Sequence, residues 1–129
     1  MADINEIKNL ILNTKDHTPE FDSADIEKNR LLSLFAYLGP FILIPFLAAK
    51  DSKFAHYHVK QGLVLFIAAL ILGIVDSLLG GIFLLGTIIH IVCVILGLAI
   101  LALAILGIYY AVTGKAKDLP LISKVNLIK

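Results

Sequence analysis

In a chain of 129 residues, 59% hydrophobic side chains and a mean hydropathy of +0.92 are more than a water-soluble domain of that size can hide in one core, so the composition implies a single integral membrane domain. Eleven Lys and Arg stand against ten Asp and Glu, a net charge of +1 that offers no electrostatic footprint for nucleic acid. The lone cysteine, Cys93, excludes an intrachain disulfide.

Residues 1–29 read as a polar segment. Ile4, Ile7 and Ile11 share one side of a short amphipathic helix, either a frayed soluble one or one that docks on a membrane or partner. With Asp3 and Glu6 at its start and no basic n-region, no cleaved signal peptide is expected. Thr14 to Ser23 is linker-like, and Asp22 or Ser23 is the expected N-cap of the next helix.

Residues 31–49 carry no charge and are the first expected spanning helix. Pro40, after Gly39, and Pro45 each remove a backbone donor and free the carbonyl four residues back, those of Ala36 and Phe41. The result is either a kink healed by neighbouring helices or a broken helix whose open carbonyls line a polar path. Asp51 or Ser52 then caps a second helix over 52–79, whose first turns place Lys53, His56, Tyr57, His58 and Lys60 among headgroups.

From Gly62 to Val112 the strongly polar side chains are Asp76, Ser77, Thr87 and His90. One helix of that length would run to about 76 Å against a hydrocarbon core of about 30 Å, so the chain must fold back, and Gly80-Gly81 is the natural place. A third helix over 82–112 is expected to stop at Gly114 with Lys115 and Lys117 nearby, leaving 115–129 as a basic tail whose Leu119-Pro120-Leu121-Ile122 lies on the membrane surface.

Helices in lipid associate through small residues. Stepping by four and three gives Gly86, His90, Cys93, Gly97, Ile100, Ala104, Gly107 and Ala111 on the third helix, and Ala55, Gly62, Phe66, Ala69, Gly73, Asp76 and Gly80 on the second. Folding at the diglycine opposes Asp76 to Gly86, Gly73 to His90, Ala69 to Cys93, Phe66 to Gly97, Gly62 to Ile100 and Ala55 to Gly107. The expectation is a close-packed antiparallel pair. Asp76 and His90, one layer apart, are candidates for a structural hydrogen bond or for a proton or ion relay. His56 and His58 point about 200° apart on a helix, so they do not make a metal site together. Three crossings would put the lysine-rich Asp51 to Gln61 segment and the C-terminal tail on one side. The positive-inside rule makes that side cytoplasmic and the N-terminus external.

Phe35-Ala36-Tyr37-Leu38-Gly39-Pro40, then Lys50-Asp51-Ser52 with Phe54, His58, Gln61 and Gly62, and Gly114-Lys115 before Leu119-Pro120-Leu121-Ile122, resemble the small Tic-twenty-like membrane proteins. That group includes uncharacterised bacterial and archaeal members, the chloroplast inner-envelope import component and the magnetosome proteins MamF and MmsF. The resemblance covers about residues 31 to 125. It implies membrane residence and transfers no catalytic residue.

The sequence therefore predicts an all-α integral membrane protein with three transmembrane helices, the last two a long antiparallel hairpin. Its expected partners are the lipid bilayer and a second copy or other membrane proteins. The expected role is that of a non-enzymatic assembly or scaffold subunit of the inner membrane, without cofactor or metal. The alternative is a component of a translocation or small-solute pore, using Pro40, Pro45 and Asp76. Enzyme chemistry could draw only on Ser52, His56, His58 and Asp51.

Overall fold

The computed structural model describes residues 16–119, so the short helix expected in the first fifteen residues and the tail beyond Leu119 lie outside the described residues. Every regular element among the described residues is helical: α1 (Ser23–Ser33), α2 (Leu43–Ala48), α3 (Lys53–Leu79) and α4 (Leu85–Val112), with 3-10 turns at Thr18–Glu20, Leu34–Tyr37 and Gly39–Ile42. Asp22 caps α1 by accepting from the Ala24 N–H at 3.2 Å, which satisfies one of the donors a helix start leaves free. Ser52 does the same for α3, accepting from the Ala55 N–H at 3.0 Å. At the other end of the chain α4 stops where Gly114 takes φ +76°; the Lys115 N–H reaches the Tyr110 carbonyl and the Gly114 N–H the Ala111 carbonyl, a Schellman closure.

The first apolar segment is not the continuous spanning helix expected over 31–49. It breaks at Gly39, whose φ of +64° no helix interior tolerates, and on either side of the break the backbone tightens into 3-10 turns. The apolar helical run that remains, Gly39–Ala48, is 10 residues, about half of what a hydrocarbon core of about 30 Å requires. Pro40 opens this run at its first turn, where a missing N–H costs nothing, and Pro45 is buried in α2 with its carbonyl accepting from the Ala49 N–H.

Two helices are long and apolar enough to cross a membrane, α3 with 27 residues and α4 with 28. They form an antiparallel pair, closed by the turn at residues 80–84. The diglycine there does not supply the left-handed residue: Gly80 is helical at φ −65°, and the positive φ falls on Leu84 at +62°. What the turn needs is the missing side chains of Gly80 and Gly86, since a Cβ at Gly80 would lie 2.5 Å from the Asp76 carbonyl oxygen. A Cβ at Gly86 would lie 2.2 Å from the Gly80 carbonyl oxygen, so only glycine lets the first turn of α4 fold back onto the end of α3.

The glycine seam is only partly the close-packed zipper expected. Gly73 and Gly97 face the same inter-helix crevice, but a Cβ on either would meet nothing within 4 Å; the helices stand apart there around a space of 180 Å³ bordered also by Ala69, Asp76 and Cys93. Gly62 and Gly107 are tight, yet against the first apolar segment rather than against Ile100 and Ala55. A Cβ on Gly62 would sit 1.9 Å from the Ala36 carbonyl oxygen, and one on Gly107 would sit 2.4 Å from the Tyr37 ring.

The core lies at one end of the hairpin, where Ala36, Tyr37 and Ile42 pack against Val59 and Leu65 of α3, Tyr110 and Ala111 of α4, and Leu119. Toward the turn the pair is bare, with Leu78 73% and Phe83 86% exposed, a belt of uncovered apolar side chains that suits hydrocarbon and not water. Both ends of the described chain meet at the core end. Asp16 bridges to Lys117, and the His17 N–H donates to the Ala116 carbonyl at 2.7 Å. Three crossings would set the N- and C-terminal segments on opposite sides of a membrane, whereas here residues 16 and 117 lie side by side.

Candidate functional site

Three residues apart on α3, His58 and Gln61 fall on one helical face, and both are buried. The stretch after α4 is laid across that face. His58 Nε2 lies 2.9 Å from the Lys115 carbonyl oxygen, which can only accept, so Nε2 carries the proton and Nδ1 accepts from the Tyr37 hydroxyl at 2.6 Å. The Tyr37 oxygen in turn accepts from Gln61 Nε2 at 3.4 Å, while Gln61 Oε1 takes the Leu119 N–H at 2.6 Å. One proton assignment satisfies every member, and no buried side-chain polar atom among the described residues is left without a partner. The network ties three elements together: the first apolar segment through Tyr37, α3, and the post-helical strap at 115–119. Leu119, expected on the membrane surface, is instead fully buried beneath it.

A second cluster clamps the open ends of the hairpin. Asp25 on α1 accepts from the Ser52 hydroxyl at 2.6 Å, the Phe54 N–H at 3.0 Å and Asn29 Nδ2 at 2.8 Å. Burial works to raise its pKa, but these hydrogen bonds outweigh it and hold the carboxyl below the usual range. Five residues on, Arg30 Nη1 donates to the Val112 carbonyl at 2.8 Å. One short helix thus sets an anion at the positive end of α3 and a cation at the negative end of α4. His17 completes the surface with Glu20 at 2.5 Å and Asp118 at 3.1 Å. Partial burial pulls its pKa down, yet the two carboxylates prevail and it ends above the ordinary value.

Asp76 and His90 do meet: Nδ1 of His90 lies 3.0 Å from both carboxylate oxygens, near the turn and at the mouth of the inter-helix crevice. Asp51 is exposed in the turn before α3. Of the carbonyls freed by the two prolines, that of Phe41 accepts from the Leu43 N–H and that of Ala36 lies against Gly62. No group of three or more His, Cys, Asp or Glu side chains among the described residues is placed to hold a metal ion. The arrangement locks a backbone segment through Tyr37, His58 and Gln61 and pairs Asp76 with His90 across the hairpin.

Sequence reasoning missed Tyr37, Asp25 and Arg30. The acid in the first turn of α1 reads as a favourable charge for its own helix, and nothing in the spacing shows that it caps another. Tyr37 lay in the resembling string but without an assigned partner.

Neither a curated protein nor a solved structure matches this chain. The model of the MamF/MmsF family, described as the magnetosome magnetite crystal formation protein family, matches residues 28–126, the whole of the hairpin, its polar lock and most of its end clamp, and the chain belongs to that family.

Proposed function

We propose that this protein is a membrane assembly subunit without catalytic chemistry of its own, anchored by the α3–α4 hairpin in the membrane at which its family's magnetite crystals form. The observation that carries this reading is the division of the molecule. The turn half of the hairpin is uncovered and apolar apart from Asp76, Ser77, Thr87 and His90, while the buried polar side chains at the other end are all engaged in hydrogen bonds. In this reading the segment at 34–48 dips into one leaflet with Phe41, Phe46 and Leu47 in lipid and does not cross. Lys50, Lys53, Lys60, Lys115 and Lys117 gather at the core end, which the positive-inside rule makes cytoplasmic for both chain ends. The wider kinship with Tic-twenty-like proteins, carried by Phe35 to Pro40 and Ser52 to Gly62, belongs to the same proposal.

A second reading, a pore or translocation component, is favoured by one feature, the crevice bordered by Asp76, Cys93 and Gly97. Reconstitution in liposomes separates the two. The assembly reading expects ion flux no higher than that of empty vesicles, for wild type and Asp76→Ala alike. A robust conductance lost in Asp76→Ala would make the protein a pore.

A further inference from the structure

Beside the start of α3 a cleft of 420 Å³ opens between Phe21, Lys50, Asp51, Ser52, Lys53, His56, Tyr57 and Lys60. Three lysines against the single Asp51 leave its walls with an excess of two positive charges. A second groove of 240 Å³ shares Lys50 and His56 with it and continues along Pro45, Phe46, Leu47, Ala49 and Val59. One is cationic and faces the charged rim of the molecule; the other is apolar and runs beside the uncovered side chains Phe46 and Leu47. A cationic cleft adjoining an apolar groove, with Lys50 and His56 bordering both, fits a ligand that is itself anionic at one end and aliphatic at the other.

We propose that the two adjoining cavities together form a binding site for a phospholipid with an anionic headgroup, its phosphate among Lys50, Lys53 and Lys60 and the start of one acyl chain along Pro45, Phe46 and Val59. The site rests on the membrane reading above, and it goes further in naming a lipid class and the residues that select it. Tyr57 and Phe21 wall the headgroup end, and the Ser52 hydroxyl is already engaged with Asp25, so the lysines carry the selection. Asp51 opposes any anion there and favours a headgroup held toward Lys50, which borders both cavities.

The test uses the full chain in neutral detergent, titrated with dioleoylphosphatidylglycerol, dioleoylphosphatidylcholine or inorganic phosphate and read by native mass spectrometry. Phosphatidylglycerol is expected to bind at least about tenfold more tightly than phosphatidylcholine. The combined Lys50→Gln, Lys53→Gln and Lys60→Gln variant, with its melting temperature checked, is expected to lose that preference, whereas Lys28→Gln on α1 keeps it. Equal binding of the two lipids by wild type would overturn the proposal, and that comparison needs no variant to fold. So would a preference that survives the triple substitution. Displacement of phosphatidylglycerol by equimolar inorganic phosphate would make the cleft a site for the free anion and not for a lipid. Extraction of the protein from phosphatidylcholine vesicles by alkaline carbonate would overturn the membrane reading itself, an outcome distinct from insertion without lipid preference.

Discussion

Gly62 and Gly107 show how much a missing side chain can specify. The first lets the Ala36 backbone rest on α3, and the second lets the Tyr37 ring lie against α4. That ring cannot move aside cheaply, because its hydroxyl is held by His58 and Gln61. Gly62→Ala and Gly107→Ala are therefore expected to lower stability by about 1–3 kcal/mol or more each, as overpacking does. Gly73→Ala and Gly97→Ala, with open space at their Cβ positions, should be neutral or gain up to about 1 kcal/mol of helix propensity. Thermal unfolding in detergent compares the four, and equal losses at all of them would favour a uniformly tight helix seam. The stepping of small residues through the sequence did put Ala69, Gly73, Asp76, Cys93 and Gly97 on facing surfaces of the two long helices, as the shared crevice shows. It could not say what approaches each glycine. A small residue reports close approach without naming the visitor, and at Gly62 and Gly107 the visitor comes from a segment that periodicity had read as a separate helix.

At the scale of elements, α1 closes the open end of the hairpin by matching charge to helix ends. Its N-cap and the glycine stop of α4 were legible because capping chemistry is local. The break of the first apolar segment was legible only as two prolines and a glycine, signals that fit a kinked spanning helix equally well. Asp25 gives the clamp a pH signature. Its folded pKa lies below the ordinary 3.8, so its contribution is fully present above that value and is lost as pH falls through the lower folded value. His17 has the opposite sign: raised above 6.5, it contributes fully below that pH and loses its share as pH rises through the folded pKa. Melting measured from pH 2 to 9 should show both limbs. Asp25→Asn should cost about 1–2 kcal/mol near neutrality, toward the lower end because the carboxyl is partly solvated, and should flatten the acid limb. An acid limb unchanged by that substitution would show that Asp25 does not cap α3.

For the molecule as a whole, hydropathy alone identified the hairpin, since no other arrangement accommodates so long an apolar stretch in a bilayer. Topology was not legible, because it depends on counting crossings, and the count turned on whether residues 31–49 form one helix. Asp16 beside Lys117, and the His17 N–H on the Ala116 carbonyl, are the contacts on which the proposal of two crossings rests. The proposed cytoplasmic placement of the lysine cluster depends on that arrangement. The most direct test is cysteine accessibility in intact vesicles of one known orientation, in a Cys93→Ser background with single cysteines introduced as Asp16→Cys, Lys117→Cys and Gly81→Cys. A membrane-impermeant maleimide should label positions 16 and 117 from the same side and position 81 only from the other. Labelling of 16 and 117 from opposite sides would restore a third crossing and contradict a fold with two.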